Sequence, residues 1–186
     1  MSTLEGLEGT IGHLIQGNGR AQIILLGKKT TGNHHIGLYI GAGGKMEPED
    51  SSSPLACVAR EHREELGIVI DQNSTVHFAT VDYYHPRNGG HELKFRVHYF
   101  NIFRWTGIPR PLEGFSEVGW FPTDGLPYGE MPADLAHWLP KAFEEQRGQK
   151  RFIRVEVYYE DVNLTRVENM SIGFEPAIEV VGAQTT

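Results

Sequence analysis

The chain has 186 residues, 39% of them hydrophobic and 10% aromatic, which is enough for one domain with an ordinary core. We expect a single domain over residues 1–186, ordered from about residue 10 to about residue 180, and this composition excludes collagen-like and wholly disordered chains. The net charge of −7 disfavours a broad basic face, so we expect no nucleic-acid partner. With one cysteine, no long apolar run and no leader-like N-terminus, we expect a cytoplasmic protein with neither disulfide nor membrane association.

The first half of the chain contains strand, glycine-rich and helix signals in that order. The apolar run at residues 21–26 predicts a buried strand, and the glycines of residues 41–45 predict backbone that takes an unusual φ or approaches something closely. Ser53 followed by Pro54 is typical of a helix N-terminus, and Gly67 supplies a stop after about residue 66. The sequence therefore predicts one helix directly after the glycine-rich segment.

The second half is richer in strands. Alternating side chains predict strands at residues 68–70, 75–84, 92–103 and 117–121, a loop at 85–91, a helix at 132–146, and a final hairpin with strands at 153–159 and 162–167. The tail at residues 182–186 is expected to be frayed. Because strands outnumber the two widely separated helices, we predict an α/β fold with a mixed sheet between helices.

The predicted helix at residues 54–66 carries a cluster of carboxylates. Glu61, Glu64 and Glu65 are spaced i, i+3 and i+4, which places them on one face of a helix. A compact set of oxygen ligands suits a hard divalent ion such as Mg²⁺ or Mn²⁺. For the bare pattern, an ordinary solvated helix face is the alternative.

The surrounding residues resemble the Nudix superfamily, whose sequence box reads G-x5-E-x7-R-E-U-x-E-E-x-G-U, where U is apolar. Residues 60–68 (REHREELGI) match its second half and residues 44–50 (GKMEPED) its first half. Three positions depart from the box. Asp50 replaces a glutamate, nine residues instead of seven separate it from Arg60, and His62 occupies an apolar position, where we expect a packed core histidine. In the family that glutamate holds the loop to the arginine, so here Asp50, Glu47 or Glu49 must reach Arg60.

The resemblance implies the Nudix fold, a mixed sheet sandwiched between helices with the box as a loop-helix-loop. It also implies metal-dependent hydrolysis of a nucleoside diphosphate linked to another group, with Mg²⁺ or Mn²⁺ as cofactor. Glu64 and Glu65 would bind metal, Glu61 would bind metal or activate water, and a backbone carbonyl near Gly43 would complete the set. Arg60 would orient the carboxylates.

Beyond the box, the chain most resembles the subgroup that converts oxidised purine nucleoside triphosphates such as 8-oxo-dGTP to the monophosphate and pyrophosphate. Glu92 aligns with a glutamate that contacts metal or activates water, although an exposed strand-end carboxylate is the alternative. The resemblance assigns substrate binding to Lys29, Ile40, Gly44, Lys45, Asp134, Leu135 and Trp138. Of these, Trp138 could stack on the base or belong to the core.

The base-reading positions weaken the expected selectivity. Ile40 and Leu135 stand where the subgroup has hydrogen-bonding side chains, and an aliphatic group does not distinguish donors from acceptors. We therefore expect weak preference for 8-oxo-dGTP. Hydrolysis of another nucleoside diphosphate derivative, such as a dinucleotide or nucleotide sugar, and a non-catalytic nucleotide-sensing module are the alternatives.

Overall fold

A computed structural model describes residues 8–32 and 34–176 of the chain. The predicted frayed tail lies outside these residues. Within them the chain forms ten strands and two α-helices. The strands are β1 (Glu8–Gln16), β2 (Ile23–Lys29), β3 (Tyr39–Ile40), β4 (Val69–Ile70), β5 (Thr75–Arg87), β6 (Gly90–Ile102), β7 (Trp105–Thr106), β8 (Phe115–Pro122), β9 (Phe152–Tyr159) and β10 (Val167–Glu175), and the helices are α1 (Pro54–Leu66) and α2 (Leu135–Arg147).

Eight of these strands form one mixed sheet. Its order is β10-β9-β5-β6-β1-β2-β3, with β8 also pairing with β2, and the remaining two strands, β4 and β7, pair with each other. The β1–β6 and β5–β9 pairs are parallel, whereas the other pairs of the main sheet are antiparallel. The prediction of a mixed α/β fold is confirmed.

Alternate residues of β1 contact the two helices, because successive side chains of a strand point to opposite faces. The Thr10 hydroxyl lies 3.3 Å from Cys57 Sγ on α1, whereas the ring of His13 lies 5.9 Å from that of Phe143 on α2. The helices therefore cover opposite faces of the sheet. No helix among the described residues is both long and apolar enough to cross a bilayer.

The box helix begins and ends where the sequence predicts. The Ser53 hydroxyl accepts a hydrogen bond from the Ala56 N–H at 3.2 Å, and Gly67, at φ 68°, donates its N–H to the Arg63 carbonyl at 3.1 Å. These two caps satisfy backbone groups that the helix leaves free. His62 is fully buried with Nδ1 2.8 Å from the Val58 carbonyl, which confirms it as a core histidine.

The longer elements differ from the predictions in three places, and the two-residue strands β3 and β7 were not predicted. Strand β1 went unpredicted because its two glycines and a histidine obscure the strand pattern. The predicted loop at 85–91 is mostly strand, since β5 and β6 meet at a tight turn where Asn88 and Gly89 have φ of 49° and 81°.

The third difference concerns the last hairpin. Its second strand is Val167–Glu175, so the predicted strand at 162–167 is wrong. The carboxylate of Asp161 accepts hydrogen bonds from the N–H groups of Asn163, Thr165 and Arg166 at 2.9, 3.1 and 2.9 Å. These bonds close residues 161–166 into a turn, because they satisfy backbone donors that a strand would have paired.

Candidate active site

The loop before α1 is tied to the helix by one carboxylate. Asp50 is 3% exposed and accepts hydrogen bonds from Arg60 Nε at 3.1 Å, Arg60 Nη2 at 3.0 Å and the Glu47 N–H at 2.8 Å. The bonds from Arg60 hold the pKa of Asp50 below its usual value. Glu49 is exposed and reaches Arg60 at only 3.7 Å. Of the three predicted partners, Asp50 therefore makes the close contact.

The two additional residues of the box lie outside this contact. Ser51 and Ser52 are both exposed and have φ of 51° and 59°, so the chain makes a left-handed turn there and returns to Ser53. The turn lets the longer loop keep its acidic residue against Arg60.

Arg60 connects the loop to the carboxylates of the helix. Its Nη1 donates to Glu61 Oε1 at 2.9 Å and to Glu64 Oε2 at 3.0 Å, and its Nη2 donates to the Lys45 carbonyl at 3.0 Å. The guanidinium thus offsets part of the repulsion between the two glutamates. These bonds hold Arg60 against both carboxylates and against the backbone at Lys45.

Glu65 lies on the inner side of the cluster. Its Oε2 accepts the Gly43 N–H at 2.8 Å, and burial raises the pKa of its carboxyl to about 8. Burial also raises the pKa of Glu61, while Arg60 opposes that rise. Burial makes the ionised form of a carboxyl group costly, and a nearby cation stabilises that ionised form.

Glu61, Glu64 and Glu65 present carboxylate oxygens, which are the ligands that hard divalent cations prefer, so this set fits such a cation. Among residues 8–32 and 34–176, no three Asp, Glu, His or Cys side chains lie close enough together to form a metal-binding group. The reason is visible in the contacts, since Glu64 is turned to Arg60 and Glu65 to Gly43.

The glycine run lies close to protein atoms. A Cβ on Gly43 would overlap the Thr10 carbonyl, and a Cβ on Gly44 would overlap the carboxylate of Glu61. The Thr10 N–H donates to the Gly44 carbonyl at 2.8 Å, which holds the run against β1. The prediction of a close approach is confirmed, and the groups approached are strand β1 and a box carboxylate.

A cavity of about 570 Å³ opens beside Gly43, Gly44 and Glu65. Lys29, Lys45 and Lys94 line it, together with loop residues His34 and His35. Among the described residues, the lysine ion pairs within 4 Å all belong to Lys28, which leaves the three lining lysines without such a pair. This rim can bind an anionic ligand.

Farther in, the cavity is largely apolar around one carboxylate. Apolar side chains that line it include Ile11, Ile40, Phe95, Val97 and Phe115. Asp134 is 1% exposed; its Oδ1 accepts from the Tyr159 hydroxyl at 2.9 Å, and its Oδ2 accepts from Trp138 Nε1 at 3.0 Å and the Tyr83 hydroxyl at 3.1 Å. Tyr83 also lies 2.8 Å from the hydroxyl of Tyr99.

Sequence reasoning missed these tyrosines and Lys94. The available signal was the pair of inward-facing tyrosines on neighbouring strands, because a buried tyrosine hydroxyl normally needs a polar partner. Tyr83 and Tyr99 meet this condition by pairing with each other across β5 and β6.

The structure brings most of the predicted residues together. Lys29, Ile40, Gly43, Gly44, Lys45, Glu65 and Asp134 line the cavity, and Arg60 joins Glu61 and Glu64 beside it.

Three predicted residues lie elsewhere. Trp138 is fully buried, with its ring 4.9 Å from that of Tyr99, so it belongs to the core. Leu135 is also buried and does not line the cavity. Glu92 lies beside the β5–β6 turn, where it pairs with Arg87 and has Oε2 3.8 Å from His85 Nε2.

Comparison with known proteins identifies the same region. A family model described as "NUDIX domain" matches residues 8–145. Among solved structures, the MutT protein of Bacillus halodurans superposes with a TM-score of 0.66 at 18% identity, covering 89% of this chain and 96% of that one. The MutT NUDIX hydrolase of Burkholderia pseudomallei gives 0.55 at 26% identity, with 74% and 95% covered.

The NUDIX domain of Shewanella oneidensis NrtR, solved in complex with ADP ribose, gives a TM-score of 0.56 at 17% identity, with 76% of this chain and 88% of that chain covered. The comparison with curated protein sequences yields no match. The low-identity likenesses support the fold, whereas the family model spans both the box and the cavity.

Proposed function

We propose that this chain, which belongs to the NUDIX domain family, is a metal-dependent nucleotide pyrophosphohydrolase. Nudix domains typically hydrolyse phosphoric anhydride bonds. The proposed substrate is a nucleoside triphosphate, 8-oxo-dGTP or a related purine nucleotide, which would be cleaved to the monophosphate and pyrophosphate.

One observation carries this proposal: the carboxylate cluster of α1 adjoins a cavity with a lysine rim and an apolar interior. Glu65 belongs to both, since it lies on the box helix and lines the cavity. Lys29, Lys45 and Lys94 suit the phosphates, and the apolar walls suit a base. A nucleotide bound in this way would place its anhydride bond beside the carboxylates.

The chain's own residues have distinct roles in this proposal. Glu61, Glu64 and Glu65, with the Gly43 carbonyl, would hold Mg²⁺ or Mn²⁺. When bound, such an ion neutralises phosphate oxygens and lowers the pKa of a coordinated water. Glu61 would accept the proton of the attacking water, and Arg60 would keep the neighbouring carboxylates oriented.

Glu92 stays a candidate for metal contact or water activation. From its position at the β5–β6 turn it would have to leave Arg87 to reach the box carboxylates. Replacing Glu92 with Gln therefore separates its alternative roles: a loss of kcat supports the catalytic one, and unchanged kinetics support an exposed strand-end carboxylate.

A double variant tests the metal-site assignment. Glu64→Gln with Glu65→Gln should lower kcat by about 10²-fold or more, equivalent to roughly 3 kcal/mol in the barrier, and EDTA should abolish wild-type activity. Glu144→Gln on the exposed face of α2 is the matched control and should leave kcat unchanged. Full activity in the double variant would refute the assignment.

Other nucleoside diphosphate derivatives form the second candidate substrate class. Ile40 brings an aliphatic side chain to the cavity and Leu135 is buried away from it, so neither supplies a hydrogen bond to an oxidised purine. Comparing kcat/KM for 8-oxo-dGTP, dGTP, dATP and an ADP-linked diphosphate distinguishes the classes. A preference for 8-oxo-dGTP above about 10³-fold would refute weak selectivity, and hydrolysis of none would favour a nucleotide-sensing module.

A further inference from the structure

The hydrogen bonds at the inner end of the cavity have a defined direction. An ionised carboxylate only accepts, and each tyrosine hydroxyl has a single proton to donate. Asp134 accepts from three donors, Tyr159, Trp138 and Tyr83; burial raises the pKa of its carboxyl, and these three hydrogen bonds oppose that rise by stabilising the ionised form. The Tyr83 proton is therefore committed to Asp134, and the bond between Tyr83 and Tyr99 must use the Tyr99 proton.

At the polar end of the cavity, Tyr83, Tyr99 and Asp134 therefore offer a ligand acceptors and no free donor. Tyr99, Tyr83 and Asp134 all line the cavity, and every proton of the network points inward towards the carboxylate. The Tyr99 oxygen donates to Tyr83 and accepts from no other described side chain, so it retains lone pairs for a ligand. Of the other lining side chains, Ile11, Ile40 and Val97 are apolar, the Thr10 hydroxyl lies against Cys57 Sγ, and Arg96 donates to Asp82.

We propose that this acceptor surface, formed by Tyr99 and Tyr83 and held by Asp134, selects nucleotides whose base carries an exocyclic amino group. The inference rests on the proposed function and specifies the substrate class of the same cavity. An amino group donates to a lone pair that the protein leaves free, whereas a base without it supplies no donor there and binds more weakly. Asp134 has a positioning role, because protein donors already occupy both of its oxygens.

Binding of monophosphates tests the inference separately from hydrolysis, because they contain no anhydride bond. Isothermal titration calorimetry in Mg²⁺ would compare AMP with purine riboside monophosphate, which lacks the 6-amino group, and GMP with inosine monophosphate, which lacks the 2-amino group. We expect at least one amino-bearing member to bind about tenfold or more tightly than its partner.

Two variants assign the preference to the tyrosine oxygen. Tyr99→Phe keeps the ring that packs on Trp138 and removes the acceptor, so the affinity ratio should fall to within about threefold. Tyr159→Phe removes a donor that is not among the lining residues, so the ratio should persist. A thermal melt of each variant verifies folding.

The outcomes separate the two proposals. Equal binding within both pairs, absence of binding, or a ratio unchanged by Tyr99→Phe would overturn the inference, and none of these results depends on hydrolysis. A clear amino preference without hydrolysis of any anhydride substrate would support the inference and overturn the hydrolase proposal alone.

Discussion

Replacing Asp50 with asparagine should destabilise the protein by about 3 kcal/mol. The carboxylate is 3% exposed and accepts two hydrogen bonds from Arg60 and one from the Glu47 N–H. An asparagine of the same shape would turn an amide N–H₂ towards one of those donors. Breaking a buried ion pair costs about 3–5 kcal/mol, and the lower end applies because Arg60 keeps Glu61 and Glu64 as partners.

Glu49→Gln is the matched control for this variant. Glu49 is the other acidic neighbour of Arg60 from the same loop, but its side chain is 67% exposed and lies 3.7 Å away. An exposed pair of this kind contributes about 0–1 kcal/mol. Urea unfolding followed by tryptophan fluorescence would measure both free energies. Similar losses in the two variants, or a loss below about 1 kcal/mol for Asp50→Asn, would refute the reasoning.

The pH dependence gives a further check on Asp50. Its pKa is lowered in the folded protein from a reference value of 3.8, so the folded state binds its proton less readily than the unfolded state. The stabilisation is therefore present above about pH 4 and is lost as the pH falls through the lower folded-state pKa. The difference between wild type and Asp50→Asn should shrink over the same range.

The remaining predictions concern the glycine run, the serine turn and a buried histidine. Gly44→Ala should lower kcat by about tenfold or more because its Cβ would overlap the carboxylate of Glu61, whereas Gly129→Ala, where a Cβ meets nothing within 4 Å, should not. Ser51→Gly should stabilise the chain by up to about 1 kcal/mol in urea unfolding, since φ is 51° there; a destabilised variant would contradict this. Burial lowers the pKa of His13 to about 3, so below about pH 6.5 the unfolded state binds a proton at this residue and the folded state does not. The free energy of unfolding should therefore fall as the pH falls towards 3. His13→Leu should reduce the slope of unfolding free energy against pH by about one proton, and an unchanged slope would contradict burial of the neutral ring.

Local signals were sufficient to predict the box helix. A capping serine, a proline in the first turn and a glycine stop depend on neighbouring residues, and each has that role in the structure. Within the loop, sequence alone left Asp50, Glu47 and Glu49 as equal partners for Arg60. Which of the three reaches Arg60 depends on the left-handed turn at Ser51 and Ser52. Serine residues seldom adopt this conformation, and the sequence does not predict it here.

The interior of the cavity depends on contacts between distant parts of the chain. Asp134 lies 51 residues after Tyr83 and 25 residues before Tyr159, and the parallel pairing of β5 with β9 places the two tyrosines on the same side of the sheet. Side-chain periodicity predicts that such tyrosines face inward, but it does not predict which strands become neighbours. The hydrogen-bond network around Asp134 could therefore not be predicted from separate segments of the sequence.

The glycine run shows how a local signal and a distant contact combine in the site. Its composition predicts a close approach, and the group approached on one side is strand β1, through the bond from the Thr10 N–H to the Gly44 carbonyl. On the other side, a Cβ on Gly44 would overlap the carboxylate of Glu61. Because Gly44 makes both contacts, β1 limits how far the glycine run can move away from that carboxylate. A shift of β1 would therefore move the glycine run, and with it the proposed carbonyl ligand of Gly43, relative to Glu61 without changing any residue of the box.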